Sequence, residues 1–121
     1  MSRNTQTVET YIDGFNKSDH AQILSCLTDD IDWTVFGFFR LHGKEAYDRE
    51  IENPAFVGNP TVTITRMVEQ DDVVMAEMTL EVRRAGGDLM RAAMAEVFVM
   101  RDGKIDERRA YVIELKENDY R

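Results

Sequence analysis

At 121 residues, 43% of them hydrophobic, the chain is long enough to bury one core and too apolar to be disordered. Its formal charge of −8, from 15 basic and 23 acidic residues, repels phosphate backbones and anionic lipid, so neither nucleic acid nor a membrane is an expected partner. No apolar run nears the roughly 20 residues that span a bilayer; with a polar start and the single Cys26, a soluble cytoplasmic domain over 1–121 is expected, with no signal peptide and no internal disulfide.

Val8, Tyr11, Ile12 and Phe15 fall at i, i+3, i+4 and i+7, which predicts a first helix with one apolar face. Gly14 weakens that helix by ~1 kcal/mol relative to alanine, and Asn16-Lys17-Ser18-Asp19 ends it. Ser18 or Asp19 then caps a second helix carrying Ala21, Ile23, Leu24 and Leu27, which Thr28-Asp29-Asp30 closes. Ile31, Trp33 and Val35 alternate with Asp32 and Thr34, the pattern of a half-buried strand. A loop containing Gly37 and Gly43 leads to a third helix, about 44 to 52, with Ala46, Tyr47 and Ile51 inward; Asn53-Pro54 stops it.

After Pro60 the pattern is of strands. Val62, Ile64 and Val68 alternate with threonines, and Val74 to Val82 alternate with mostly polar residues. Gly86-Gly87-Asp88 is a turn before a long strand from about Leu89 to Met100, and Asp102-Gly103 is a hairpin signal before the last strand, 104 to 115. Links this short make the four strands an antiparallel meander. The strand 89–100 is apolar on both faces, with Met94, Phe98 and Met100 on one and Ala93, Ala95, Val97 and Val99 on the other. A homodimer through the outer sheet face is the simplest way to cover the second face; the C-terminal tail or a loop is the other.

Several segments carry a family resemblance: Tyr11-Ile12-Asp13-Gly14-Phe15-Asn16, Leu27-Thr28-Asp29-Asp30-Ile31-Asp32-Trp33, Leu41-His42-Gly43-Lys44-Glu45-Ala46 and 97–105. In these the chain resembles the SnoaL-like and ketosteroid-isomerase-like branch of the nuclear-transport-factor-two-like superfamily. The resemblance implies an α+β, cystatin-like fold: a cone-shaped half-barrel, its curved antiparallel sheet wrapped round three N-terminal helices. It further implies a deep pocket for a small hydrophobic molecule and, commonly, a dimer. Members of the family include isomerases, cyclases, epoxide hydrolases, dehydratases and proteins without chemistry.

Glu96 shares a face with Met94 and Phe98 that is expected to line the pocket, where desolvation favours the neutral carboxyl unless a cation is near. The resemblance puts Glu96 where ketosteroid isomerases keep a protonated acid and Tyr11 where they keep a hydrogen-bonding tyrosine, a pair suited to a developing enolate. The structural alternative is a cross-strand ion pair. A two-residue turn at Asp102-Gly103 sets Arg109 opposite Glu96, and a bulged three-residue turn brings Arg108. The position of the isomerase general base holds Val35, so the usual proton shuffle has no base. The resemblance to epoxide hydrolases around 77–80 and 109–111 places Met78, Leu80 and Ala110 at the catalytic positions, which argues against that activity.

Trp33 is read as a pocket wall or as simple core, and Phe15, Val35, Met94, Phe98, Arg109 and Tyr111 as further candidate substrate contacts. His42 is a candidate base at the pocket rim or a turn histidine. Two isolated histidines give no metal site, Cys26 has no histidine partner, Gly86-Gly87 is no phosphate loop, and no cofactor is expected. Two functions are weighed: a cofactor-free acid/base isomerase, cyclase or dehydratase, and a non-catalytic ligand-binding or dimeric assembly domain.

Overall fold

The computed structural model of the chain describes residues 2–116. In chain order it contains α1 (Arg3–Lys17), α2 (His20–Ser25), β1 (Leu27–Val35), β2 (Phe39–His42), α3 (Lys44–Ile51), β3 (Phe56–Gln70), β4 (Val73–Arg84), β5 (Leu89–Arg101) and β6 (Lys104–Leu115). The strands form one curved, unclosed sheet in the order β2-β1-β6-β5-β4-β3, and with the three helices they make the α+β half-barrel.

Local chemistry sets the helix ends. The Ser2 hydroxyl accepts the Thr5 N–H at 3.1 Å and opens α1; Asp19 Oδ1 accepts the Gln22 N–H at 3.0 Å and opens α2. α1 buries Val8, Tyr11, Ile12 and Gly14. A methyl group on Gly14 would stand 2.9 Å from Ile23 Cγ1, so this glycine, costly to the isolated helix, is what lets α1 and α2 approach.

Three boundaries differ from the sequence pattern. α2 stops at Ser25: the Cys26 carbonyl accepts the Ile105 N–H at 2.8 Å and Leu27 pairs with Ile105, so strand pairing takes Leu27 from the helix. The loop before α3 contains the short strand β2, which pairs antiparallel with β1 at Trp33↔Leu41 and Thr34↔Arg40. β3 starts at Phe56, ahead of Pro60. The proline is tolerated because β3 is an edge strand and its ladder to β4 lapses between Val57 and Thr61.

β3 to β6 form the expected antiparallel meander, but β1 joins it through a parallel ladder to β6. The long chain between them, including α3, supplies the connection that a parallel pair needs. At the β5–β6 turn, Asp102 and Gly103 both have positive φ, 53° and 76°, and Arg101 pairs with Lys104. Met100 then pairs with Ile105 but Val99 with Glu107, leaving Asp106 as the extra residue of a bulge. Because side chains alternate, that one residue turns Arg108 and Ala110 inward and leaves Arg109 and Tyr111 on the outer face. Among the described residues no helix is long and apolar enough to cross a membrane.

Candidate functional site

The inner face of the sheet and the helices enclose a cavity of about 600 Å³. Its deep walls are Ile12, Trp33, Val82, Met94 and Ala110; its mouth is formed by exposed residues of the segment after α3, by Asn59, and by Phe38 at the β1–β2 turn. Glu96 and Arg108 also line it, and both are buried, at 1% and 8% exposure.

The two make a bidentate ion pair. Arg108 donates from Nε to Glu96 Oε1 and from Nη2 to Glu96 Oε2, both at 2.7 Å. The bulge at Asp106 provides this geometry: Glu96 lies opposite Ala110, and Arg108 is its diagonal neighbour on the same face. Arg108 Nη1 donates to the hydroxyls of Tyr11 and Tyr47, which also bond to each other. The guanidinium carbon sits 4.4 Å from the Trp33 ring centroid and 5.2 Å from that of Phe15, so aromatic faces complete its surroundings.

Protonation follows from this arrangement. Both oxygens of Glu96 accept N–H groups, the pattern of an ionised carboxylate with no proton to offer. Burial pushes the phenols of Tyr11 and Tyr47 above their ordinary values despite the adjacent cation, so both stay neutral. Burial, the largest single influence, works against the Arg108 charge, but the Glu96 carboxylate together with the Tyr11 and Tyr47 oxygens outweighs it and holds the guanidinium well above its ordinary value. Of its five N–H groups four have partners among the described residues; the fifth, on Nη2, has none. The buried Trp33 Nε1–H also has no acceptor there.

The sequence candidates separate into three sets. Glu96, Trp33, Val35, Phe15 and Met94 line the cavity. Tyr11 and Phe98, both 0% exposed, lie behind its wall, ring centroids 5.8 Å apart, and Tyr11 acts on the site through Arg108. Arg109, Tyr111 and His42 do not reach it. The bulge turns Arg109 and Tyr111 outward, where Phe36 stacks on Tyr111 at 4.6 Å and Arg109 lies over Phe36. His42 is exposed on β2 and shares a hydrogen bond with Asp32 at 2.8 Å. Tyr47 was legible in the sequence as an inward residue of α3, but nothing in the spacing paired it with Tyr11 or Arg108. Among the described residues no cluster of histidine, cysteine and acidic side chains could hold a metal ion.

The chain belongs to the SnoaL-like domain family, whose model matches residues 8–108. No curated protein matches the sequence. Similar solved structures include an LEH-like epoxide hydrolase from M. tuberculosis, 21% identical with a TM-score of 0.82, covering 92% of this chain and 83% of that one. TerC, co-crystallized with polyporic acid, is 22% identical with a TM-score of 0.79, covering 90% of each chain. An NTF2-like protein from Burkholderia pseudomallei is 21% identical with a TM-score of 0.79, covering 91% and 90%. At these identities the likeness is one of fold.

Proposed function

We propose that this chain binds a small, largely apolar molecule in the inner cavity and directs a carbonyl or hydroxyl oxygen of that molecule to Arg108. The observation that carries the reading is an apolar cavity of about 600 Å³ that reaches a buried guanidinium with one N–H uncommitted among the described residues. That volume and polarity are typical of ligand pockets, in which a few polar groups fix orientation. Polyporic acid in TerC is consistent with an oxygen-bearing cyclic ligand in a cavity of this fold. The epoxide hydrolase chemistry of the M. tuberculosis protein is not carried over, because Met78, Leu80 and Ala110 stand at the positions where the resemblance requires charged catalytic groups.

Any chemistry here is cofactor-free polarisation of the bound carbonyl by Arg108, as in an isomerisation, cyclisation or dehydration, with the ionised Glu96 holding the guanidinium in place. Val35 in place of the general base favours binding without turnover. The test is the emission of Trp33, the single tryptophan, titrated with cyclic ketones and phenols. In the double variant Glu96→Leu/Arg108→Met, which removes both charges together, ketone affinity is expected to fall about tenfold or more, the worth of a hydrogen bond to a charged group. Apolar analogues of equal size should bind both proteins alike. A wild-type protein that responds to no ketone or phenol, with Trp33 inaccessible to quenchers, ends this reading.

We also infer a homodimer through the outer sheet face. Met75, Tyr111 and Ile113 are 48%, 44% and 66% exposed there, and Ala93 and Ala95 between them leave room for close approach.

A further inference from the structure

His20 opens α2 and faces α3. Its Nδ1 lies 2.6 Å from Asp48 Oδ1 and its Nε2 2.8 Å from Glu52 Oε1. A neutral imidazole has one N–H and satisfies one carboxylate; only the imidazolium donates to both. The ring is therefore drawn in its charged form. Other charged groups near α2 are engaged elsewhere: Asp19 caps the helix through Gln22, and Asp13 of α1 bonds Lys17 at 2.7 Å as well as the Gln22 amide.

The place of this clasp gives it a consequence. Glu52 lines the cavity, as do its neighbours Glu50, Ile51 and Asn53, so the end of α3 is the mouth. The side-chain hydrogen bonds of Glu50 and Asn53 stay within this segment. Tyr47 anchors the middle of α3 to Tyr11 and Arg108, but from Asp48 to Ala55 the bonds from His20 are the side-chain hydrogen bonds that tie this stretch to another element among the described residues.

We propose that protonated His20 holds the mouth of the cavity narrow and that loss of its proton lets the end of α3 swing away, so that access to the cavity rises with pH. This rests on the small-molecule reading of the cavity. Hydrogen bonds from Asp48 first and then Glu52 raise the His20 value above the ordinary 6.5. A raised value means that the clasp is complete below about 6.5 and is lost as the pH climbs through the folded-state value. The mouth is narrow in mild acid and widens as the pH rises above the ordinary imidazole value.

Acrylamide quenching of Trp33, a cavity-wall residue 6% exposed, reads access directly and needs no ligand. From about pH 5.5 to about pH 9 the wild-type quenching constant should rise about two- to fivefold, the range that a solvent-exposed ion pair supports. His20→Gln should be high and flat, and His20→Arg, a cation at every pH, should stay low. His42→Gln, a change at the other histidine, should keep the wild-type step. A flat wild-type profile, or a step that survives in His20→Gln, overturns the latch. The ligand panel separates the two claims: binding without a quenching step removes the latch alone, and a step without binding removes the small-molecule reading alone.

Discussion

Glu96→Gln keeps the shape of the side chain and removes its charge, leaving Arg108 buried beside two neutral phenols. A buried charge stripped of its partner costs about 3–5 kcal/mol, so the midpoint of urea unfolding should fall sharply. The double variant Glu96→Leu/Arg108→Met should recover most of the loss, because a well-packed apolar pair replaces a buried ionic one at little penalty. A loss below about 1 kcal/mol in Glu96→Gln would mean that Arg108 is solvated from the cavity rather than held by the carboxylate. At this scale the sequence identified the acid and placed an arginine beside it. It could not choose between Arg108 and Arg109, because the choice depends on a backbone irregularity that no residue type announces. The role of Tyr47 was hidden for a related reason: helical spacing shows that a side chain points inward but not what its hydroxyl meets.

Among the elements, β6 carries the most consequential irregularity. Asp106 is the unpaired residue of the bulge, and its Oδ1 accepts from the Thr28 hydroxyl at 2.7 Å and faces Arg101 at 3.2 Å. Deleting Asp106 removes the bulge yet leaves Arg108 and Ala110 facing inward, since the alternation after Ile105 is then unbroken. The deletion should therefore cost only about 1–3 kcal/mol, from the lost hydrogen bonds, and preserve the Trp33 response to ketones. Inserting one alanine after Asp106 should likewise keep the response, because Arg108 then lies four positions after the inward Ile105 and unbroken alternation faces it inward, directly opposite Glu96. A ketone response lost in either variant would mean that alternation from Ile105 does not set the face. Elements with a local chemical signature were readable: the Asp19 cap, the Asp102-Gly103 turn, the alternation of β4. Those settled by distant pairing were not. α2 ends early because Ile105 claims the Cys26 carbonyl, and β2 is too short for alternation to identify it.

Over the whole molecule, both faces of the sheet are partly apolar, but only the inner one is covered by helices. Outer rows run Met75–Val97–Arg109, Glu77–Ala95–Tyr111 and Thr79–Ala93–Ile113 across β4, β5 and β6. A self-associating surface here predicts that Ile113→Lys or Ala95→Arg shifts the sedimentation coefficient from dimer to monomer without altering the Trp33 environment. A wild-type protein that sediments as a monomer at micromolar concentration removes this inference and leaves the cavity untouched. The apolar alternation of β5 made this face legible in the sequence; the arrangement of β1 beside β6 was not, because a parallel ladder leaves no short turn to signal it.

That parallel ladder bears on how the chain is made. β1 emerges from the ribosome early, with Ile31 and Trp33 destined for burial, but its central partner is the strand synthesised last of those described. Until β6 arrives, β1 has only the four residues of β2 as its partner strand, and one edge of this hairpin stays open. The half-barrel is thus completed from its C-terminal side, and a synthesis stalled before residue 104 leaves the aromatic heart of the protein on an unpaired strand.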